Sequence, residues 1–220
     1  AIDEDTIVVG APMKASTTPG SYANGAAYVF VRDAGGWTEQ AKLGAAGANG
    51  DLFGYAVAVA EGRAVIGAPY ANDAQGQAYV FARSGSTWSQ QAILTTGGGA
   101  AGDELGWSVA LGSDSIFVGA PFAGQLNGAA CGASYVFDVA SLGEAGGTTI
   151  AAPVAGELAG WSVAASGVRW VTSAPGHLVG DIVHAGAAYW FDPAITIFHA
   201  GFDAPGACIA PENVSPRVAR

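Results

Sequence analysis

The chain has 220 residues, of which 50% are apolar and only 12% are charged, and its formal net charge is −10. The eight lysines and arginines form no cluster that would neutralise phosphates, so the composition argues against a nucleic-acid partner. No apolar run reaches the roughly 18 residues that a membrane-spanning helix needs, which argues against a membrane span.

The first recurring feature along the chain is the triplet Gly-Ala-Pro. It occurs three times, and a fourth copy has serine in place of glycine: Gly10-Ala11-Pro12, Gly67-Ala68-Pro69, Gly119-Ala120-Pro121 and Ser173-Ala174-Pro175. The copies are separated by 57, 52 and 54 residues. Such regular spacing indicates an internal repeat.

Two further landmarks flank the triplet in a fixed order. A glycine-aromatic motif precedes it from the second unit onward: Phe53-Gly54-Tyr55, Leu105-Gly106-Trp107 and Ala159-Gly160-Trp161. A Tyr-Val-Phe motif follows it: Tyr28-Val29-Phe30, Tyr79-Val80-Phe81, Tyr135-Val136-Phe137 and, altered, Tyr189-Trp190-Phe191. Repeats of this length, with room for four short strands each, are typical of propeller blades.

The sequence therefore predicts an all-β fold, a β-propeller of four-stranded antiparallel blades with four repeats in one domain. We place the repeats at about 1–43, 44–94, 95–154 and 155–200, followed by an irregular tail at 201–220. The tail either closes the ring or contacts a neighbouring molecule.

Each strand of a unit has its own pattern. The first alternates large and small side chains, as in Trp107-Ser108-Val109-Ala110-Leu111, and the second is apolar throughout, as in Ile116-Phe117-Val118. Both patterns are typical of strands that lie between neighbouring blades. The third strand carries Tyr-Val-Phe, and the fourth is polar, which protects an outer edge from pairing with other chains.

The first and fourth units depart from this scheme. Residues 1–6 lead directly into a second strand, so we expect the first blade to lack its first strand. The tail, a neighbouring molecule or further repeats of a longer propeller would fill that gap, because unpaired backbone groups are costly to bury. In the fourth unit, the outer strand at 194–199 is unusually apolar.

The order Phe-Gly, Gly-Ala-Pro, Tyr-Val-Phe resembles the FG-GAP repeat of integrin α-chain propellers and of secreted bacterial proteins. The resemblance implies a propeller that serves in adhesion or ligand binding, and a location outside the cell or at its surface after removal of a signal peptide. Many repeats of the family bind calcium between the first and second strands. Here those connections are short and lack alternating acidic residues, so we expect no calcium and no other cofactor.

Propellers of this kind bind through loops on one face, and here the loops between the second and third strands vary most. These loops hold aromatic, amide and acidic residues that form a candidate lining for a sugar or peptide site: Tyr22, Asn24, Tyr70, Asn72, Asp73, Phe122, Gln125 and Asn127. The alternative is that they are ordinary turn residues, since asparagine and aspartate favour turns for backbone reasons.

Other polar residues give weaker signals. His177, Asp181 and His184 share one loop, but their spacing does not make a metal site, and we interpret them as solvated loop residues. Asp51, Asp103 and Glu157 recur at equivalent points, which indicates a structural role such as accepting hydrogen bonds from a turn. We find no nucleophile motif and predict no catalytic residue and no enzyme activity.

Cys131 and Cys208 are the only cysteines. They form either one disulfide or two unpaired thiols.

The leading functional hypothesis is a non-catalytic extracellular protein that binds or adheres to a protein or carbohydrate ligand. The runner-up is a structural subunit that binds copies of itself and assembles into a filament or surface layer by strand complementation. An enzyme on a propeller scaffold is the third hypothesis.

Overall fold

The computed structural model describes residues 1–15, 23–45, 50–126, 129–142, 148–151, 155–178, 185–192 and 195–200. These residues form four antiparallel sheets of four strands each and one two-stranded hairpin, and each four-stranded sheet comes from one segment of the chain with its strands in sequence order. This is the predicted all-β architecture of four-stranded propeller blades.

The strands of the sheets are as follows. The first sheet contains β1 (Ile2–Asp3), β2 (Thr6–Ala11), β3 (Ala26–Asp33) and β4 (Gly36–Leu43). The second contains β5 (Val57–Ala60), β6 (Arg63–Ala68), β7 (Gln77–Ser84) and β8 (Thr87–Leu94), with a short helical segment α1 (Ala71–Ala74) between β6 and β7.

The remaining strands form the other two sheets and one small hairpin. The third sheet contains β9 (Ser108–Leu111), β10 (Ser115–Ala120), β13 (Ala133–Asp138) and β14 (Thr148–Ala151), and its loop holds the hairpin of β11 (Gln125–Leu126) and β12 (Ala129–Ala130). The fourth contains β15 (Val163–Ser166), β16 (Arg169–Ala174), β17 (Ala187–Asp192) and β18 (Ile195–Ala200). The predicted tail at 201–220 lies outside the described residues.

The expectation that the first sheet lacks its first strand is wrong. A two-residue strand, β1, pairs with β2 in the register Ile2↔Ile7 and Asp3↔Thr6. Ala1 extends the pairing, because its amino group donates to the Val8 carbonyl at 3.0 Å and its own carbonyl accepts from the Val8 amide at 3.0 Å. Glu4, with φ of 47°, makes the tight turn that allows so short a hairpin. The strand is half as long as β5, β9 and β15, and together with Ala1 it pairs with β2 from Thr6 to Val8.

The apolar core lies between successive sheets. One cluster joins the first and second sheets around Val8 and Ile66, a second joins the second and third around Val65 and Val118, and a third joins the third and fourth around Phe117. In the third cluster the Phe117 and Trp170 rings stack with centroids 4.8 Å apart. Adjacent residues of a second strand point to opposite faces of its sheet. In the second and third sheets both faces are covered by a neighbouring sheet, so their second strands are apolar throughout.

The glycines of the repeated motifs hold the sheets together. A Cβ on Gly10, Gly67 or Gly119 would lie 2.0 Å from the carbonyl oxygen of Gly54, Gly106 or Gly160, the motif glycine of the following sheet. Only glycine permits this approach. The motif residues therefore lie where two blades meet, and each Gly-Ala-Pro end is packed against the turn that begins the next blade.

Candidate functional site

Four aromatic side chains from three successive sheets contact one another, and we call them the aromatic cluster: Tyr55, Trp107, Trp161 and Phe122. The Trp107 ring lies at the centre, with centroid distances of 4.8 Å to Tyr55 and 5.1 Å to Trp161. Phe122 lies 5.5 Å from Trp107 and 6.2 Å from Trp161, in edge-to-face geometry in both contacts.

The repeat places these rings together. Tyr55, Trp107 and Trp161 each follow the motif glycine and precede a first strand, so they occupy the same position in three sheets. Pairing of Ser108 with Gly119 puts the beginning of β9 beside the end of β10, where Phe122 follows Pro121. The triplet glycine of one sheet is in close backbone contact with the motif glycine of the next, and this packing of successive sheets brings the aromatic residues after the motif glycines together.

The cluster is partly open to solvent. Tyr55 and Trp161 are each 39% exposed, and Tyr70, which lies close enough to Tyr55 to influence its titration, is 45% exposed. Large aromatic rings that contact one another and still face water are typical of ligand-binding surfaces.

Glu104 adds a carboxylate beside the cluster. It precedes the turn that begins at Leu105, and its charge acts on Tyr55, whose pKa is raised by burial first and then by Glu104. Burial raises the pKa of Glu104 itself. Its Oε2 atom is buried, and none of the described residues donates a hydrogen bond to it.

Glu104 is also an exception within the repeat. Leu52, Glu104 and Leu158 occupy the same turn position, with φ angles of 56°, 58° and 57°. A leucine suffices for this turn in two of the three copies, so the local geometry does not require a carboxylate. A polar residue that breaks the repeat pattern without a structural partner indicates a binding role.

The structure separates the predicted loop residues into groups. Phe122 belongs to the aromatic cluster and Tyr70 lies beside it, whereas Asn72 and Asp73 are exposed turn residues in α1 with φ of 58° and 57°. Asn24 lies where the first sheet meets the second; its backbone carbonyl accepts from the Phe53 amide at 3.1 Å, and its buried Oδ1 finds no donor among the described residues.

The other predicted loop residues give less information. Gln125 lies in β11. Tyr22 and Asn127 lie outside the described residues.

The repeated carboxylates lie beside the tyrosines of their own units. Burial first, and then the charge of Asp51, raises the pKa of Tyr79 to about 12, and burial with Asp103 raises that of Tyr135 to about 12. Asp103 Oδ2 also accepts from the Ala100 amide at 2.8 Å, which confirms the predicted turn role for that residue.

In the fourth unit the carboxylate is a glutamate, and it forms a buried polar cluster. Glu157 Oε1 lies 2.7 Å from His177 Nδ1, and Oε2 accepts from the Tyr189 hydroxyl at 2.9 Å. His177 is only 5% exposed, so the interpretation of this residue as a solvated loop histidine is wrong. The longer glutamate side chain reaches a histidine at the position that alanine occupies in the second and third units.

This histidine does not lie in a metal site that the structure describes. Among the described residues no group of three histidine, cysteine, aspartate or glutamate side chains is close enough to hold a metal ion. Asp181 and His184 lie outside the described residues.

Cys131 is 1% exposed and is disulfide-bonded. Its predicted partner, Cys208, lies outside the described residues, so the pairing remains a prediction.

The sequence interpretation missed Tyr55, Trp107 and Trp161 as functional candidates, since it assigned them to the packing between blades. A signal was present, because one position of the repeat is aromatic in three copies although its neighbours are small. Glu104 was missed too, and comparison of the turn residues across the copies would have identified it.

The described part of the chain has no helix with the length and apolar character to cross a membrane. No curated protein matches the chain. A sequence model of the FG-GAP repeat matches residues 37–81 and 88–137, and each match runs from the fourth strand of one sheet to the Tyr-Val-Phe strand of the next. The matched segments thus contain the turns and triplets that interlock between blades, and they identify the repeats of this chain as FG-GAP repeats.

Proposed function

We propose that this protein is a non-catalytic binding protein of the secreted bacterial type, which acts outside the cell or at its surface and holds a basic side chain of a protein partner on its aromatic cluster. The observation that carries the proposal is Glu104, a carboxylate with a buried oxygen that no described residue satisfies, next to exposed aromatic rings. FG-GAP repeats are typical of extracellular binding scaffolds, which supports the location.

The chemistry of the site favours a cation over a neutral ligand. Aromatic ring faces attract ammonium and guanidinium groups, by about 0.5–1 kcal/mol at exposed sites and about 2 kcal/mol where water is excluded. A carboxylate whose ionised form is disfavoured by burial gains most from a positive partner. The net charge of −10 attracts such a partner over a longer range. A carbohydrate ligand would use the rings but would not need the charge.

The cluster suits binding better than catalysis. Its rings and single carboxylate provide an apolar surface and a counter-charge, whereas covalent catalysis requires an activated nucleophile with an adjacent base. The absence of enzyme activity and of a cofactor is part of the proposal.

The test is titration of the protein with a short arginine-containing peptide, in which binding is measured by tryptophan fluorescence and by calorimetry. We expect Trp161→Ala and Glu104→Leu each to weaken binding about tenfold, which corresponds to about 1.4 kcal/mol. Glu104→Leu introduces the residue that the second and fourth units have at this position, so the fold is retained. Trp37→Ala is the matched control, because Trp37 is 41% exposed on β4, outside the cluster.

Three results would contradict the proposal. Binding that does not change in either cluster variant would place the ligand elsewhere. A neutral oligosaccharide that binds while the peptide does not would favour a carbohydrate ligand. Equal loss in Trp37→Ala would show a non-specific effect.

The second candidate function is the self-assembling subunit. Strand donation is no longer needed to explain the first sheet, because β1 occupies that place. A different observation favours assembly: the first and the fourth sheet each leave large apolar side chains exposed, with Val9 46% and Trp190 40% exposed.

A further inference from the structure

Each sheet of the array has two faces, and the burial of adjacent residues in its second strand shows whether both are covered. In the second sheet Val65 and Ile66 are both fully buried, and in the third Phe117 and Val118 are at most 1% exposed. In the first sheet Val8 is fully buried, whereas its neighbour Val9 is 46% exposed. Within the part of the chain that the structure describes, the first sheet is thus fully covered on one face only.

The first open face is the side of the first sheet that points away from the second sheet. Alternation along the strands gives it Ile2, Ile7, Val9, Tyr28 and Phe30, which pair across β1, β2 and β3. Ile2 is 65% exposed, and Ile7, Tyr28 and Phe30 are partly buried. The part of this face formed by β1, β2 and β3 is apolar and accessible to solvent, and Lys42 and Glu39 continue it on β4.

The fourth open face is the side of the fourth sheet that points away from the third. Trp170 is buried against Phe117 on the covered side, whereas Ala164, Val171 and Trp190 lie on the other side and pair in adjacent strands. Trp190 is 40% exposed. These three residues line a shallow, mainly apolar groove of about 250 Å³.

The two open faces are the two halves of an interface that the molecule already forms three times. In each interior contact, the face that contains Val8, Val65 or Phe117 packs against the opposite kind of face on the following sheet. Val171 occupies the position of Val8 in the fourth sheet, and Val9 occupies the position of Ile66 in the first. The fourth open face is therefore the kind of face that, in the interior contacts, packs on the next sheet along the chain. The first open face is the kind that packs on the preceding sheet.

The triplet departs from the repeat at the fourth open face. The interior contacts need glycine at the triplet, because the turn of the following sheet fills the space of a Cβ. Ser173 has a side chain at this position, and its Oγ accepts from the Ser162 amide at 3.1 Å, so the fourth open face does not admit such a turn.

We propose that the fourth open face of one molecule packs on the first open face of a second copy of this chain. The contact is heterologous, since it uses a different surface on each partner, and it propagates to longer assemblies unless the rotation between copies closes a ring. It requires no exchange of strands and leaves the aromatic cluster available, so it is independent of the binding function proposed above.

The test uses one charged substitution on each face and sedimentation velocity over a wide concentration range. Val9→Lys blocks the first open face, and Val171→Lys blocks the fourth, because a lysine buried between two sheets lacks a partner for its charge. Val168→Lys is the matched control: Val168 is 44% exposed in the turn between β15 and β16, outside both faces. Circular dichroism checks that all variants keep the fold.

We expect the unmodified protein and Val168→Lys to grow in mass with concentration, and each face variant alone to remain monomeric. An equimolar mixture of the two face variants should form a one-to-one dimer and nothing larger, because each retains one complementary face. A monomeric unmodified protein at all concentrations would overturn the proposal, as would a mixture that does not dimerise. If a face variant fails to fold, Trp190→Lys replaces Val171→Lys and Ile2→Lys replaces Val9→Lys.

Discussion

At the scale of single residues, Glu104 is the position where stability and binding conflict. The φ angle of 58° is shared with Leu52 and Leu158, so the carboxylate contributes nothing that the turn requires. Its buried Oε2 has no donor among the described residues, and an unsatisfied buried acceptor costs about 1–3 kcal/mol. The site is thus a place where a residue that costs stability is retained beside an exposed aromatic surface.

We predict that Glu104→Leu stabilises the unliganded protein by about 1 kcal/mol at neutral pH, because it removes that acceptor. Burial raises the pKa of Glu104 in the folded state. The free energy of unfolding therefore falls as pH rises through that pKa, because the carboxyl group loses its proton at a higher pH in the folded state than in the unfolded state. The stabilisation by leucine should therefore shrink at acid pH, where the carboxyl is protonated in both states. Urea unfolding of both proteins from pH 4 to pH 8 measures this difference in the free energy of unfolding. A difference that does not change with pH would contradict this account.

At the scale of the elements, the glycine contacts decide how the sheets are joined. Gly67 is the second-to-last residue of β6, and its Cα faces the carbonyl of Gly106, so the junction has no room for any side chain. Similar contacts at Gly10 and Gly119 explain why the triplet recurs in sequence. In the fourth sheet, where no turn of a following sheet packs on the triplet in the described structure, serine replaces the glycine, and Ser173 Oγ accepts from the Ser162 amide.

We predict that Gly67→Ala destabilises the protein by about 3 kcal/mol or more, since the added methyl would lie 2.0 Å from backbone that cannot move without shifting a sheet. Gly98→Ala is the control: no atom lies within 4 Å of the added methyl, and the change should stay within about 0.5 kcal/mol. Denaturant unfolding measures both. Equal effects of the two substitutions would show that the close approach at Gly67 is not what holds the sheets together.

At the scale of the whole molecule, each of the three apolar cores of the described residues joins two sheets that are neighbours in sequence, so the sheets form a linear series. In such a series, stability is approximately a sum over units and the contacts between them. The second and third sheets have two such contacts, and the first and fourth have one each.

We therefore predict that amide hydrogen exchange is slowest in β6 and β10 and faster in β2 and β16, because local opening of an end sheet breaks one interface and not two. Exchange measured by mass spectrometry at low protein concentration, where the monomer dominates, tests this order. Uniform protection across the four sheets, or stronger protection at the ends, would contradict it. At high concentration, association through the open faces should increase the protection of β2 and β16 selectively.

The sequence predicted the fold more fully than it predicted the candidate site. Three landmarks in a fixed order identified the units and the alternation within them, because packing between blades imposes the same demands on each copy. The candidate site was predicted only at Phe122 and Tyr70, since the loops gave residue types but not their positions in space. His177 was misread as solvated because its partner Glu157 lies 20 residues away, and a single sequence does not reveal such a pair.

The sequence by itself determined the all-β class, the four-stranded unit and the family, since these depend on the spacing of glycine, proline and aromatic residues along one chain. Tertiary structure decided which of those residues meet. It brought Tyr55, Trp107 and Trp161 together from turns about 50 residues apart, and it completed the first sheet with the two residues of β1. The physical reason is that the spacing of glycine, proline and aromatic residues depends on the local conformation of the backbone in each unit. Contacts between blades and the exposure of surfaces depend on how whole sheets pack.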